Sequence, residues 1–368
     1  MSVSGAPGPA GPVRAAIVGT GNIARYHVEA LRALGRQVEV VAGVDVDEER
    51  LAAFADRHEL PALFTDLGTM LREARPDLVH VCTPPGLHRE QALACLRAGA
   101  TALVEKPPAL SLAEMDELAA AEGAEGPWFA TVFQHRFGSG ARRLQEVMAT
   151  GVLGRPLVAI CHTTWFREQE YFDVPWRGRW DTEGGGPTMG HGIHQIDLLV
   201  ALLGEWTSVS ALARQQARVM DTEDLSLAHV TFASGAVASV VNSVLSPREE
   251  SYVRIDFEHA TVELTHLYGY GDDDWRVTPA PGREEAVVNA WKAGESGVSS
   301  GHRAQFAHVV RALGEHRPPP VTSSDSARTM RLVAGIYASA FERRTITPAD
   351  LAAGSPFHGR MDGSGPRW

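Results

Sequence analysis

Apolar and polar positions alternate along the first third of the chain in a pattern that predicts strands and helices in turn. Short apolar runs predict strands at 14–18, 38–44, 78–82 and 101–104. Apolar residues at helical spacing predict helices at 22–34, 48–57 and 87–97. Ser111 and Glu114 have the spacing of a capping box that opens a further helix. Because strands that alternate with helices form βαβ units, the pattern predicts an α/β fold with a doubly wound parallel sheet.

The pattern changes after about residue 127. A strand at 128–132, a helix at 140–149, an extended stretch at 157–165 and a helix at 190–203 come first. Alternating runs then predict consecutive strands at 208–215, 225–232, 236–244, 252–257 and 261–265. Helices at 303–313 and 326–341 close the pattern. Strands that follow directly on one another indicate a large, mostly antiparallel sheet. We therefore expect domains at 13–130 and 131–348, with disordered tails at 1–12 and 354–368.

Composition and charge narrow the function classes. The 368 residues suffice for about two domains. The formal net charge of −11 disfavours binding to nucleic acid, and no apolar run is long enough to cross a membrane. Cys82, Cys95 and Cys161 are scattered and form no CxxC pair, which favours a reducing compartment. Residues 1–12 lack the features of a signal peptide, so we expect a cytoplasmic protein.

The segment GTGNIA at 19–24 follows the first predicted strand and opens the first predicted helix. Glycines at these positions permit a tight turn and let the backbone approach a pyrophosphate, and the helix N-terminus favours anions. Asp45 ends the second predicted strand, where a carboxylate accepts hydrogen bonds from ribose hydroxyls and repels a 2′-phosphate. The motif therefore predicts NAD as cofactor, with NADP less favoured, and Asp47 is a second candidate for the ribose contact. A glycine turn without a ligand is the alternative.

Further segments carry a family resemblance. They are TPPGLH at 83–88, EKP at 105–107, WRGRW at 176–180, EGGG at 183–186 and HGIHQID at 191–197. With the glycine turn, they resemble the Gfo/Idh/MocA oxidoreductase family, which includes glucose–fructose oxidoreductase and inositol dehydrogenase. The resemblance implies an N-terminal Rossmann domain and a C-terminal α/β domain with an open, mostly antiparallel sheet. It also implies a nicotinamide in the cleft between them and a homodimer or homotetramer formed through the open sheet.

The same resemblance implies roles for individual residues. Lys106 and His194 occupy the positions of the family's catalytic lysine and histidine, and both side chains can exchange a proton with a substrate hydroxyl. The implied cofactor-binding residues are Gly19, Gly21, Asn22, Ile23, Asp45, Thr83, Pro84, His88, Glu105, Lys106 and Gln134. The implied substrate-binding residues are Lys106, Arg136, Trp165, Arg177, Trp180, His191 and His194. For each aromatic or polar residue of the second set, packing in the domain wall is the alternative.

Metal binding is a weaker alternative. His191, His194 and Asp197 follow one another at intervals of three residues, so a helix would place them on one side, as in a metal triad. The family's usual chemistry needs no metal, and we expect none here. Asp197 is then expected to orient the helix or His194.

The sequence departs from the family at one position. Four residues before the catalytic histidine the family usually has Asp or Asn, whereas this chain has Gly190. We expect His191 or an ordered water to take over the missing contact.

The leading function is NAD-dependent oxidation or reduction of a secondary alcohol in a sugar, a cyclitol or a glycoside. One alternative retains NAD and uses transient oxidation to cleave a glycosidic bond. The other alternative is a regulator that binds dinucleotide or sugar without turnover.

Overall fold

The computed structural model describes residues 11–365 and 368, and these divide into two compact units. The first unit comprises 11–108, Asp116–Val132 and His302–Ser324. The second comprises Ala109–Met115, Phe133–Gly301 and the described residues from Asp325 onward. Among the described residues, no helix is long and apolar enough to span a membrane.

A six-stranded parallel sheet forms the centre of the first unit. Its strands are β1 (Val13–Val18), β2 (Val38–Val44), β3 (Leu63–Phe64), β4 (Leu78–Val81), β5 (Thr101–Val104) and β6 (Phe129–Thr131). They lie in the order β3-β2-β1-β4-β5-β6. All five pairings are parallel, which confirms the predicted doubly wound sheet. Val18 pairs with Val81, and Val81 with Val104, so the three central strands end at the same level.

Amphipathic helices follow the strands. They are α1 (Ala24–Arg32), α2 (Glu48–His58), α3 (Leu67–Ala74), α4 (His88–Arg97) and α5 (Leu112–Ala120). Short polar side chains cap several of them, as in α2, where the Asp47 carboxylate accepts from the N–H of Arg50. At the start of α5, Ser111 Oγ accepts from the N–H of Glu114 at 3.1 Å. The Glu114 carboxylate accepts from Leu110 N rather than from Ser111 N, one residue earlier than in a standard capping box.

A seven-stranded sheet forms the centre of the second unit. Its strands are β7 (Pro156–Phe166), β8 (Trp206–Arg214), β9 (Leu225–Phe232), β10 (Val237–Ser243), β11 (Leu245–Phe257), β12 (Ala260–His266) and β13 (Trp275–Pro279). Their order is β13-β12-β11-β7-β10-β9-β8, and only β7 and β10 pair in parallel. The expected mostly antiparallel sheet is therefore confirmed, with β13 as an unpredicted edge strand.

The remaining helices are α6 (Ser139–Ala149), α7 (Pro187–Gly190), α8 (Ile193–Leu203), α9 (Glu284–Ala293), α10 (His302–Gly314), α11 (Ser323–Glu342) and α12 (Pro356–Gly359). Single 3₁₀ turns lie at Gly35–Gln37, Pro85–Leu87, Gln134–Phe137, Gln169–Phe172, Asp272–Asp274 and Pro348–Leu351. Helix α8 packs on β7 and β11 and is buried along most of its length. Eight of its eleven residues are apolar, and its three polar residues, His194, Gln195 and Asp197, are buried as well.

The structure places two segments on the other side of the predicted division at residue 130: Ala109–Met115 belongs to the second unit, and His302–Ser324 belongs to the first. Helix α10 lies 170 residues after β6 in the chain, yet it belongs to the first unit. Its Phe306 and Val310 join the core that β1 and α1 form, and Gln305 Nε2 donates to the Thr131 carbonyl at 2.7 Å. An apolar helix face packs wherever a complementary surface exists, so position along the chain does not reveal its unit.

The predicted tail at 354–368 also differs. Phe357 in α12 is buried, and its ring lies 6.3 Å from that of Phe341. Trp368 contacts the same Phe341 ring at 5.5 Å. Aromatic burial therefore orders Phe357 and the described residues around it, although the Gly, Pro and Ser content of the segment suggested disorder. Residues 1–10 and 366–367 lie outside the described residues.

Candidate active site

The turn after β1 has the space and the conformation that a dinucleotide requires. Gly19 has φ +85°, and a Cβ there would lie 2.8 Å from Thr83 Cγ2. Both the backbone and the neighbours therefore demand glycine. Gly21 is exposed, and a Cβ on it would meet nothing within 4 Å. No side chain caps α1, so its positive N-terminal end is open to a phosphate next to Asn22 and Ile23 of the turn.

Asp45 lies at the end of β2 and is more fully bonded than the sequence indicated. Its carboxylate accepts from the N–H and the hydroxyl of Thr20, each at 2.8 Å. It also accepts from Asp47 N at 3.0 Å and from both Nε and Nη2 of Arg50. Burial opposes ionisation, but these hydrogen bonds outweigh it and hold the pKa of Asp45 well below its usual range. Arg50 thus neutralises much of the charge on which the preference for NAD depends.

His88 connects two loops at the carboxyl edge of the sheet. Its Nδ1 lies 2.8 Å from the Pro107 carbonyl, and its Nε2 lies 2.8 Å from the Thr83 carbonyl. Burial lowers the pKa of this imidazole. The Thr83 hydroxyl donates to Gln91, and Pro84 precedes the 3₁₀ turn that begins α4. The side chain of His88 therefore fixes the loop at 83–88 against the loop at 105–107.

Glu105 directly follows β5 and lies in a network of histidines. Its Oε1 accepts from His27 Nε2 at 2.8 Å and lies 3.3 Å from His302 Nε2. Its Oε2 accepts from the N–H of Lys106 at 3.1 Å. Burial disfavours the carboxylate, but the two imidazoles outweigh this and lower the pKa of Glu105 well below its usual value. The network joins α1, β5 and α10 and fixes the backbone from which the half-buried Lys106 extends.

The same three side chains are of the types that bind metals. The ligand atoms of His27, Glu105 and His302 lie within 4.8 Å of one another. The 2.8 Å separation of His27 Nε2 from Glu105 Oε1 is that of a hydrogen bond, whereas two ligands on one zinc ion lie about 3.3 Å apart, given bonds near 2 Å. We therefore interpret the cluster as a hydrogen-bond network.

In the second unit, neighbouring atoms leave no room for a side chain at two glycines next to α7 and α8. A Cβ on Gly186 would lie 1.9 Å from the Glu223 carbonyl, and one on Gly192 would lie 1.9 Å from Asn242 Oδ1. The buried Glu223 carboxylate accepts from Gly186 N and Thr188 N at 3.0 Å each. It therefore caps α7, a role that no sequence motif indicated. Burial raises the pKa of Glu223.

His194 projects from the first turn of α8 and is buried. Its ring stacks on that of His135 at 4.8 Å and meets Tyr268 edge-on at 5.7 Å. Gln134, predicted to contact the cofactor, donates from Nε2 to the Tyr268 hydroxyl at 3.2 Å in this structure. The ring of His194 is therefore packed between those of His135 and Tyr268.

Arg136 is placed differently from its expected role as a substrate ligand. It donates two hydrogen bonds to the buried Asp197 carboxylate, which Thr329 also contacts at 2.9 Å. Its guanidinium is almost buried, and it lies 3.5 Å from Asp325 as well. The Asp197 carboxylate thus accepts from Arg136 and Thr329, which makes it a structural partner of Arg136 rather than a ligand shared with His191 and His194.

The aromatic candidates separate into two groups. Trp165 and His191 are in edge-on contact at 5.1 Å, and Tyr171 joins them through a 3.3 Å contact between its hydroxyl and His191 Nε2. Arg177 lies over the Tyr171 ring at 3.9 Å. Trp180 is half-buried and instead packs on Tyr337 and Phe341, and its indole N–H donates to the Asp221 carbonyl.

Comparison with known proteins decides the family. The family model for the Gfo/Idh/MocA oxidoreductases with an NAD-binding Rossmann fold matches residues 13–131, and the model for the C-terminal domain of that family matches residues 141–263. The chain belongs to the Gfo/Idh/MocA family.

Relatives of this Gfo/Idh/MocA protein match over most of its length. A D-glucoside 3-dehydrogenase of Escherichia coli is 28% identical, over 89% of this chain and 95% of that protein. A putative UDP-kanosamine synthase oxidoreductase subunit of Amycolatopsis mediterranei is 30% identical, over 77% and 81%. The solved WlbA dehydrogenase of Bordetella pertussis, in complex with NADH and UDP-GlcNAcA, superposes with a TM-score of 0.81 at 26% identity, over 91% of this chain and 98% of that one. The protein is therefore an oxidoreductase with an NAD-binding domain.

The sequence analysis did not predict that the side chain of Glu183 lies beside Gly190. At Gly190, where an Asp or Asn was expected, the nearest group to a Cβ would be the Glu183 carboxylate, with Oε1 at 3.3 Å. The sequence analysis predicts His191 or an ordered water, and not Glu183, beside Gly190. In the sequence, Glu183 is recognisable only as the residue before the glycines at 184–186. The orientation of its side chain depends on the loop at 176–183, which has no periodic pattern that could predict it.

Proposed function

We propose that this protein transfers hydride between nicotinamide and a secondary alcohol of a sugar, a cyclitol or a glycoside, with Lys106 and His194 as acid–base groups. The position of Lys106 carries the proposal. Val18, Val81 and Val104 lie in register, so the Gly19 turn and Lys106 follow strands that end at one edge of the sheet. The strand order reverses between β1 and β4, which is where open α/β sheets bind their ligands.

The residues of this edge fit the expected cofactor. Gly19 and Gly21 leave the backbone open to a pyrophosphate, and the uncapped N-terminus of α1 supplies N–H donors. Asp45 follows β2, and we assign to its carboxylate the hydrogen bonds to the adenosine ribose. When bound, NAD supplies the hydride acceptor of the reaction.

The choice of lysine at position 106 supports a role in proton transfer. Lys106 and Lys292 are the only lysines in a chain whose Lys and Arg total 34. This protein therefore uses arginine for nearly every cation. Arginine stays protonated at any accessible pH, whereas a lysine amine can lose its proton. Lysine at the sheet edge is thus the group that can accept the proton of a substrate hydroxyl and return it.

His194 supports the second role. An imidazole titrates near neutrality and can donate or accept at either nitrogen. Its ring packs against those of His135 and Tyr268, which limits the motion of the side chain, as a proton-transfer or substrate-orienting group requires. We propose that it contacts the hydroxyl that reacts.

A carbohydrate substrate follows from the relatives and from the side chains near α7. The relatives named above act on, or were crystallised with, sugars or sugar nucleotides. Trp165, Tyr171, Arg177 and His191 combine aromatic faces with hydrogen-bond donors, which suits a polyhydroxylated ring.

Turnover of a polyol panel tests the proposal. Purified protein with NAD and single sugars, cyclitols and glycosides should give NADH with at least one of them. Release of an aglycone without NADH accumulation would instead support glycoside cleavage through transient oxidation. Binding of NAD with neither outcome would support a regulator.

The open face of the second sheet supports a homodimer or homotetramer. Leu212, Leu227 and Val241 are direct neighbours across β8, β9 and β10, so their side chains share one face. Leu212 and Leu227 are each 39% exposed, which leaves apolar surface that a second copy would cover. The mass measured by light scattering should be that of a dimer or tetramer. The variant Leu227→Lys should have the mass of a monomer. We also propose a cytoplasmic location, where the buried thiols of Cys82, Cys95 and Cys161 stay reduced.

A further inference from the structure

A cavity of about 420 Å³ lies beside the edge strand β8 of the second unit. One wall is β8 at 210–214, and the other is formed by the end of α11 and the residues that follow it, at 339–345. A volume of this size is typical of sites for small organic molecules. None of the residues assigned above to the cofactor or the substrate lines this cavity, so it is a separate candidate site.

Hydrogen bonds between the two walls hold the cavity in shape. The buried hydroxyl of Ser339 accepts from Ala211 N at 2.9 Å and donates to the Arg344 carbonyl at 2.7 Å. Val209 and Ile346 exchange two backbone hydrogen bonds, at 2.8 and 2.9 Å. The strand and the end of the helix are therefore joined independently of any ligand, and a ligand would find its binding groups already in place.

Three arginines line the cavity, and only one of them has acidic partners. Arg344 forms ion pairs with Glu342 at 2.6 Å and with Asp350 at 2.8 Å. No acidic side chain of the described residues lies within ion-pair distance of Arg214 or Arg343. Nη1 of Arg214 makes one long contact, at 3.4 Å, with the carbonyl of the preceding residue. In a chain whose net charge is −11, this cavity therefore carries two uncompensated positive charges.

Two hydroxyl groups add to the donors of the cavity. Ser210 Oγ lies 2.8 Å from Thr345 Oγ1, so one of the two hydroxyls donates to the other. The proton of the second hydroxyl is then left for a further acceptor. Together with the guanidinium groups, the lining offers several donors, and it contains no carboxylate. Such a lining suits an oxygen-rich anion.

The end of α11 accounts for part of the positive charge. The last carbonyls of a helix carry partial negative charge, so Arg343 and Arg344 stabilise the helix end whatever the cavity binds. Arg214 is not explained in this way, because it lies on β8 in the other wall. Its guanidinium faces two further cations across the cavity, an arrangement that is unfavourable unless an anion lies between them.

We propose that this cavity binds the phosphate group of a small phosphate monoester, with Arg214 and Arg343 as its principal donors. A phosphate monoester carries nearly two negative charges at neutral pH, which matches the two uncompensated arginines. The planar fork of a guanidinium fits phosphate oxygens, and the remaining volume accommodates a small polar group such as a sugar. The inference goes beyond the proposed function and does not depend on it, since no proposed catalytic residue takes part.

Calorimetry with glucose 6-phosphate as the probe tests the chemical class of the ligand. The protein is first saturated with NAD, so that the glycine turn after β1 cannot take the phosphate. Glucose 6-phosphate should then bind at least about tenfold more tightly than glucose or glucuronate, because it alone carries a charge near −2. No binding of glucose 6-phosphate, or equally tight binding of glucuronate, would overturn the inference.

Replacement of the two arginines tests the location of the site. Arg214→Gln and Arg343→Gln should each weaken binding of glucose 6-phosphate about tenfold, the lower end for hydrogen bonds between charged groups, since both side chains reach solvent. Arg276→Gln, at an exposed position of β13, is the matched control and should leave the affinity unchanged. Wild-type affinity in the double variant of Arg214 and Arg343 would place the phosphate elsewhere and refute the inference.

Two further measurements separate ligand binding from structural roles of the arginines. Arg343→Lys keeps the charge at the helix end but loses the fork, so it should retain the wild-type melting temperature and lose part of the affinity. If Arg343→Gln lowers the melting temperature and leaves the affinity for glucose 6-phosphate unchanged, Arg343 serves the helix alone and the inference fails. If Arg214→Gln changes the mass measured by light scattering but not the affinity, Arg214 contacts a second copy of the chain, and the inference fails as well.

Discussion

Arg136 and Asp197 form a bidentate ion pair within the second unit. Arg136 Nε donates to Oδ2 at 2.7 Å and Nη2 donates to Oδ1 at 2.6 Å. The carboxylate is fully buried and sits one helical turn after His194. The pair thus anchors the helix that carries His194, and the substrate contact that the family resemblance implies for Arg136 stays a prediction.

We expect Arg136→Met to unfold at lower urea concentration, with a loss of about 3–5 kcal/mol, because it leaves a buried carboxylate without its partner. Combining it with Asp197→Leu should recover much of the loss, since no buried charge then remains. Equilibrium unfolding of the two variants and the wild type measures this. A higher KM at unchanged stability would instead identify Arg136 as a substrate ligand.

Asp45 and Arg50 together should set the choice of cofactor. Asp45→Ala should weaken NAD binding about tenfold through lost ribose hydrogen bonds, and it should narrow the gap to NADP. Arg50→Gln should widen that gap, because it uncovers the Asp45 charge that repels a 2′-phosphate. Calorimetric dissociation constants for both cofactors decide the matter. Equal constants for NAD and NADP in the wild type would refute the predicted preference.

Lys106→Ala should lower kcat by about 10²–10⁴, the usual contribution of a positioned acid–base group. NAD affinity should stay within a few-fold, because the glycine turn and α1 are unchanged. Lys292→Ala, at an exposed position of α9, is the matched control and should keep wild-type kinetics. A kcat near that of the wild type in Lys106→Ala would remove this lysine from the mechanism.

The buried histidines should make the fold acid-labile. Burial lowers the pKa of His266 from 6.5 to about 4, and its Nε2 accepts from Gln195. Below pH 6.5 the unfolded chain binds a proton that the folded chain does not. As the pH is lowered from 6.5 to about 4, this residue should therefore reduce the free energy of unfolding by about 1.4 kcal/mol per pH unit.

Unfolding measured at several pH values checks this. His266→Gln should have a slope shallower by about one proton over that window, whereas His229→Gln, at an exposed position, should keep the wild-type slope. Equal slopes for all three proteins would contradict the assignment to His266.

The periodic patterns in the sequence predicted correctly those strands and helices that are long or uniformly apolar. The predicted strands at 38–44, 101–104 and 225–232 have the bounds of the structure. Strands β3 and β13 and helices α3 and α9 were missed. Strand β3 has only two residues, and β13 is an edge strand with few buried positions, so neither leaves a clear periodic pattern.

The sequence by itself determined the glycine turn, the acid after β2, the lysine after β5 and the histidine of α8. Each depends on local geometry, because a strand end or a helix turn places its side chain within a few residues. Only the tertiary structure decided that Arg136 pairs with Asp197, that Arg50 covers Asp45, that His302 reaches Glu105 and that Glu183 fills the space beside Gly190. Most of these contacts join residues that are far apart in the chain or lie on an irregular loop. Their energies depend on burial and on the matching of charges, which no periodicity of the sequence encodes.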